Sequence, residues 1–213
     1  MKKPGLTLLA ILPALAVSLS GQSPYPREGE VGSVAAQFVG RFVIGADGNG
    51  EVIGYMPFLD GIGNDLFINT ADRGEHTALF SVRSNRIAFA RMRNGSFNHF
   101  LLGPASDSQI EFKVYFNESP DRNFGNPASF ATGQLVGVVR LTRGMLTVTP
   151  VSLDYTSHLE LIESHDFILK DRTINFRALG RATLCHVMGD TLPAVLSGGT
   201  SVPLGGQLVH AGR

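Results

Sequence analysis

The sequence predicts an all-β protein, an antiparallel meander of about ten strands that closes into a barrel, with a β-sandwich as the alternative fold. Apolar and polar residues alternate with a period of two along most of the chain after Ser33. Turn-forming residues separate these runs by short links, and the 25 glycines suit many tight turns. A barrel is favoured because a long meander closes easily and then leaves no exposed sheet edge.

The clearest predicted strand covers Gln109–Phe116. Its apolar residues share one face and its polar residues the other, as expected for a strand with one buried side. The apolar positions are Ile110, Phe112, Val114 and Phe116. Gln134–Arg143 alternates less sharply, and its valines indicate burial on both sides.

Short turns are expected to join the strands. Asn94-Gly95 is the strongest, because this dipeptide suits the positive φ angles of a type I′ hairpin turn. The segment Gly45–Gly50 is expected to close a hairpin between 34–44 and 51–59. Further turns are predicted at Ser84-Asn85, Arg143-Gly144 and Lys170-Asp171.

Two segments are less regular. His158–His165 favours a strand, with a short helix as the alternative because Leu159 and Ile162 are three residues apart. Asn117–Ala131 contains prolines, a glycine and asparagines, and predicts a long loop of the kind that often carries function.

The chain begins like a secretory signal peptide. Two lysines precede an apolar run from Leu6 to Val17, and small residues follow up to Ser20. The run is shorter than the roughly 20 residues of a membrane-spanning helix, and Pro13 interrupts it. We therefore expect cleavage near Ser20, export to the periplasm or the extracellular space, and no transmembrane anchor in the mature chain.

The remaining chain is predicted to form one all-β domain over residues 21–190. Residues 191–213 are a glycine- and proline-interrupted tail, and the segment from Thr191 to Gly212 contains no charged residue. This tail is expected to be partly disordered, with Gln207–His210 adding a final strand.

Composition excludes several classes of protein. The single cysteine, Cys185, cannot form an internal disulfide and lies in an apolar run typical of a buried, unreactive thiol. Loss of Lys2 and Lys3 with the signal lowers the basic residues from 18 to 16, against 18 acidic ones. A slightly acidic chain with no basic run is not expected to bind nucleic acid.

Familiar catalytic and metal motifs are missing. The sequence contains no G-x-S-x-G, H-E-x-x-H or C-x-x-C pattern. The pairs His158/Glu160 and Glu163/His165 lie on opposite faces of the predicted strand, so they do not converge on one ion. Neither a metal site nor a cofactor is therefore predicted.

The candidate site is the interior of the barrel. Phe80, Phe89 and Phe112 fall on inward-facing positions, and Arg91 or His76 would supply a polar contact for a ligand, with Arg91 suited to an acidic head group. Each also has a purely structural interpretation: phenylalanines fill cores, and strand-end arginines reach water.

The predicted architecture resembles exported ligand-binding barrels such as lipocalins, although their G-x-W signature is absent and no site residue carries over. We therefore expect a non-catalytic binding or interaction module, whose partner is a small apolar ligand or another protein. One alternative is a small-barrel enzyme of the isomerase or cyclase kind, with its site at a barrel mouth near Asn117–Ala131. Another is a structural surface protein.

Overall fold

The computed structural model describes residues 29–62, 66–94, 97–105, 109–149, 152–179, 182–189 and 201–211. The predicted signal peptide, the Gly95 turn position and residues 190–200 lie outside these ranges. Within them are two short 3-10 helices, Pro127–Ala131 and Phe176–Leu179, and twelve strands. The strands are β1 (Val34–Ile44), β2 (Gly50–Leu59), β3 (Phe80–Ser84), β4 (Ile87–Asn94), β5 (Phe97–Pro104), β6 (Glu111–Phe116), β7 (Gln134–Val148), β8 (Leu153–Ser164), β9 (Phe167–Leu169), β10 (Arg172–Ile174), β11 (Ala182–Gly189) and β12 (Ser201–His210). No helix in these ranges has the length and apolar character needed to span a bilayer.

Eight strands form a closed antiparallel barrel. Each pairs with the next in the order β1, β2, β3, β6, β7, β8, β11 and β12, and β12 returns to pair with β1. The predicted antiparallel barrel is confirmed, and the sandwich alternative is not formed. Closure removes the unpaired edges that an open sheet would expose.

β4 and β5 form a hairpin that extends one end of the barrel. β5 pairs with the second half of β7, and β4 touches β2 through the single pair Gly50–Ile87. The predicted turn at Ser84-Asn85 is wrong, because β3 pairs with β6 and β4 with β5. Asn85 instead lies in the link between β3 and β4. Its side-chain amide donates a hydrogen bond to the Gln109 carbonyl oxygen, and its side-chain oxygen accepts one from the Glu111 backbone amide.

The predicted turn at Arg143-Gly144 is also wrong. β7 runs straight through it, and Gly144 pairs with Ser157 on β8. Next to this position is a bulge between Leu141 and Arg143, where β7 carries one residue more than its partner. The chain reverses only after Val148.

Other local predictions are confirmed. His158–His165 is extended, since β8 covers residues 153–164. Lys170 and Asp171 have φ angles of 50° and 63° and form the two-residue turn between β9 and β10. Gly48, at φ 78°, lies in the turn between β1 and β2. Pairing of Asn94 with Phe97 confirms the hairpin between β4 and β5.

The tail contributes more to the fold than the sequence predicts. β12 has ten residues rather than the four expected, and it pairs along both edges, with β1 and with β11. The barrel therefore extends well beyond residue 190. Gly206 is required here, because a Cβ atom at this position would lie 2.2 Å from the His186 carbonyl oxygen.

The barrel has an inner core and a smaller outer one. The inner core is rich in phenylalanine and is closed at one end by the segment 165–179, whose Phe167 and Phe176 rings pack on Phe80 at 5.5 and 5.9 Å. The outer core lies on the other side of the wall, where Tyr55 packs against loop residues including Phe67.

Candidate functional site in the barrel interior

Two small adjoining cavities lie inside the barrel. The first has a volume of about 60 Å3 and lies in the middle of the barrel. The second has a volume of about 70 Å3 and lies towards the end covered by segment 165–179. Both are walled almost entirely by apolar side chains, and four residues line both of them: Met56, Val114, Val139 and Leu208.

The sequence creates this space through the size of its inward-facing residues. Gly40 and Gly54 face each other on β1 and β2, and the ring of Phe38 occupies the room that their missing side chains leave. Most neighbouring inward positions carry valine or leucine rather than a large aromatic residue. Alternating strand geometry thus directs small apolar groups towards a common centre.

A small group of polar residues lies at and behind one part of the wall. Tyr155 and Ser157 are inward-facing on β8, and Cys185 lies directly opposite Ser157 on β11. The Tyr155 ring and the Cys185 side chain both line the first cavity. The Tyr155 Oη and Ser157 Oγ atoms are buried and do not reach the cavity surface.

The buried environment of Tyr155 and Cys185 disfavours the charged forms of both side chains. Burial raises the pKa of the Cys185 thiol from 9.0 to about 12, with the nearby Ser157 hydroxyl acting in the opposite direction. Burial likewise raises the pKa of the Tyr155 hydroxyl, again partly opposed by Ser157. Both groups are therefore neutral at physiological pH, and Cys185 is not an activated nucleophile.

The predicted phenylalanines are separated from one another. Phe112 lines the first cavity. Phe80 is fully buried among aromatic rings at the end covered by segment 165–179. Phe89 lies towards the opposite end, where its ring meets Phe42 edge to face at 5.2 Å.

Of the two predicted polar contacts, His76 is not brought to the cavity wall. His76 lies in the loop between β2 and β3, where its ring pairs with Asp72 at 2.9 Å and its side chain is 53% exposed. Strand β3 begins only at Phe80, so the alternation that would place His76 on the same face as Phe80 does not extend to it. Arg91 pairs with Phe100 in the β4–β5 hairpin, and its side chain lies outside the described part.

Tyr155 is the site residue that the sequence prediction missed. The signal for it was present, because the inward-facing alternation of β8 runs from Leu161 and Leu159 back through Ser157 and Tyr155 to Leu153. What the sequence does not contain is the identity of the partner strand, which decides whether a buried hydroxyl finds a hydrogen bond.

The long loop that was expected at a barrel mouth lies instead on the outer wall. Phe130 is fully buried, and its carbonyl oxygen accepts a hydrogen bond of 2.9 Å from the outward-facing Ser81. Phe124 of the same loop packs near Tyr55 on β2. Arg122, 1% exposed, donates to the carbonyl oxygens of Ala78 and Leu79.

A third cavity is polar and of mixed charge. It has a volume of about 290 Å3 and lies between the outward-facing part of β7, the end of β8 and the second 3-10 helix. Its walls include Arg140 and Arg177 but also Glu160 and Glu163, so opposite charges balance and no ligand charge is favoured. Glu163 is already paired with His165 at 2.6 Å.

Metal-binding geometry is not found in the described ranges. No three histidine, cysteine or acidic side chains there converge on one point. His186 pairs singly with Asp154, and His210 with Asp60, at 3.0 and 3.2 Å.

Comparisons with protein-family models, with curated proteins and with solved structures each found no match. The expected likeness to ligand-binding barrels is therefore not supported by any of the three. Among the cavities between described residues, the two interior ones have almost entirely apolar walls.

Proposed function

We propose that the protein binds a small apolar molecule inside the barrel and does not transform it. The adjoining cavities, enclosed by apolar side chains, are the observation that supports this proposal. Apolar walls with few polar groups are the usual lining of small-molecule sites. The cavity wall carries no activated nucleophile, since the thiol and the phenol there are both protonated at neutral pH.

The cavity volumes, about 60 and 70 Å3, indicate the size of the ligand. An engineered apolar cavity of about 150 Å3 stays dry and binds benzene. The two volumes here together approach that size, so the ligand is about as large as benzene.

Met56 is suited to join the two cavities. Its side chain lines both of them, and methionine is unbranched with three rotatable bonds. A change in its rotamer would turn two small spaces into one longer site without moving the backbone.

Benzene is a suitable first probe. We expect it to raise the melting temperature in proportion to the logarithm of its concentration. Val139→Phe places extra volume in the shared wall and should weaken binding more than tenfold, while Val39→Phe, on an outward-facing position of 38% exposure, should not. Circular dichroism checks that both variants fold. If Val139→Phe does not fold, Val82→Leu is a milder replacement that also adds volume to the wall of the first cavity.

Two results would contradict the proposal. The first is a parent protein whose melting temperature does not respond to benzene or to other apolar molecules of that size. The second is a folded Val139→Phe variant that binds the probe as tightly as the parent, which would place the probe elsewhere.

A further inference from the structure

The third cavity is lined by charged side chains that the described chain leaves without a partner. Arg140, Arg177 and Glu160 all line this space of about 290 Å3. None of these three side chains forms an ion pair or a hydrogen bond with a described residue. The fourth charged side chain in the wall, Glu163, is paired with His165 at 2.6 Å. The wall therefore presents two cations and one anion whose charges are not compensated by contacts with described residues.

Arg140 is the strongest indication of a ligand. It lies directly opposite Glu111 on β6 and Glu160 on β8, and opposite charges at such positions commonly pair across strands. It pairs with neither of them. Its Nε atom is buried, whereas its two terminal nitrogen atoms remain accessible. A guanidinium group in this state is suited to bind a carboxylate, which matches its planar fork with two parallel hydrogen bonds.

The charges in the wall select against a simple anion or cation. Two arginines attract a carboxylate, but Glu160 in the same wall repels it and attracts an ammonium group instead. A molecule that carries both groups gains both attractions and has no net charge. Small-molecule sites have volumes of about 300–1,000 Å3, so this cavity lies at the lower limit and holds a molecule of amino-acid size.

We propose that the third cavity binds a small zwitterion of amino-acid size, with its carboxylate held by Arg140 and Arg177 and its ammonium group by Glu160. The site is separate from the two interior cavities and does not depend on the proposed binding of an apolar molecule there.

Three probes with a common skeleton test the proposal on the full folded protein. Serine carries both charges, 3-hydroxypropanoate lacks the ammonium group, and ethanolamine lacks the carboxylate. Dissociation constants are measured by NMR titration at low ionic strength, because salt screens exposed charges. The variants are Arg140→Gln, Arg177→Gln and Glu160→Gln. Arg143→Gln is the matched control, since Arg143 is an exposed arginine on the same strand as Arg140 and does not line the cavity.

We expect the parent to bind serine about fivefold more tightly than either of the other probes, the change that one exposed charge pair produces. Arg140→Gln and Arg177→Gln should each weaken serine binding by about the same factor, while Arg143→Gln should leave it within twofold. Glu160→Gln should abolish the preference for serine over 3-hydroxypropanoate. The largest amide shifts on titration should lie in residues 160–164.

Three results would overturn the proposal. They are a parent that does not bind serine, a parent that binds 3-hydroxypropanoate as tightly as serine, and an Arg143→Gln variant that is weakened as much as Arg140→Gln. Circular dichroism checks folding, and Arg177→Gln, at an exposed position, tests the carboxylate contact if Arg140→Gln does not fold. Benzene titration reports on the interior cavities alone, so failure of the zwitterion site is distinguishable from failure of the proposed function.

Discussion

The ring of Phe38 lies against Gly54 on the neighbouring strand so closely that a Cβ atom there would be 2.5 Å from the ring. The same Cβ would also be 2.5 Å from the backbone carbonyl oxygen of Val39, which has little freedom to move. Because Phe38 forms part of the cavity wall, this glycine determines both packing and the shape of the site.

Gly54→Ala should therefore destabilise the barrel by about 2–3 kcal/mol, as overpacking does. Urea unfolding measures the change. Gly205→Ala is the matched control, because Gly205 is exposed on β12 and a Cβ atom there meets nothing within 4 Å. A Gly54→Ala variant as stable as the Gly205→Ala variant would show that Phe38 does not occupy this position.

We expect Arg122 to stabilise the contact between two loops on the outer wall. Its guanidinium donates to the carbonyl oxygens of Ala78 and Leu79 from a buried position. Arg122→Met keeps an apolar stem but leaves the Ala78 carbonyl without this donor, so we expect a loss of about 2–3 kcal/mol in urea unfolding. Arg172→Met, at an exposed position on β10, should change stability by less than about 0.5 kcal/mol. An equal loss of stability in the two variants would contradict this role of Arg122.

Asn175 is expected to hold the segment that covers one end of the barrel. Its side-chain oxygen accepts from Ser164 at 2.7 Å and from the Arg177 amide at 2.9 Å, and its amide donates to Asp166 at 2.6 Å. Asn175→Ala removes all three bonds. We expect faster amide hydrogen exchange in residues 167–174 and unchanged exchange in β1 and β2. Uniform acceleration throughout the barrel would instead indicate global destabilisation.

Local alternation made part of the fold predictable. Strand β6 was recognisable because Phe112 and Val114 face the core within one uninterrupted period-two run. β12 was underestimated because Pro203 and Gly205 break that local pattern. Its extended form depends on pairing with β1 and β11, which lie far away in the sequence.

The site was less predictable than the fold for a related reason. Phe112 was placed correctly on an inward-facing strand position, but whether such a position lines a cavity depends on the sizes of residues on all the other strands. Gly40 and Gly54 contribute only by lacking side chains. His76 was misplaced because one alternating run was extended into a loop, where the side chain pairs with Asp72.

Burial of Cys185 predicts a loss of stability at alkaline pH. Its thiol has a pKa of about 12 in the folded protein, against 9.0 for an ordinary cysteine. Below pH 9 both states keep the proton, and between pH 9 and 12 only the unfolded state loses it. The free energy of unfolding should therefore fall by up to about 1.4 kcal/mol per pH unit in that window.

Cys185→Ala isolates this effect. The pKa of Tyr155 is raised by burial and that of Arg122 is lowered to about 10, but both groups are present in parent and variant and cancel in the difference. Urea unfolding at pH 7.5 and pH 10.5 should show that the parent loses about 2 kcal/mol more than the variant between these values. The same loss in both proteins would mean that the thiol titrates normally in the folded state and does not lie in the apolar wall.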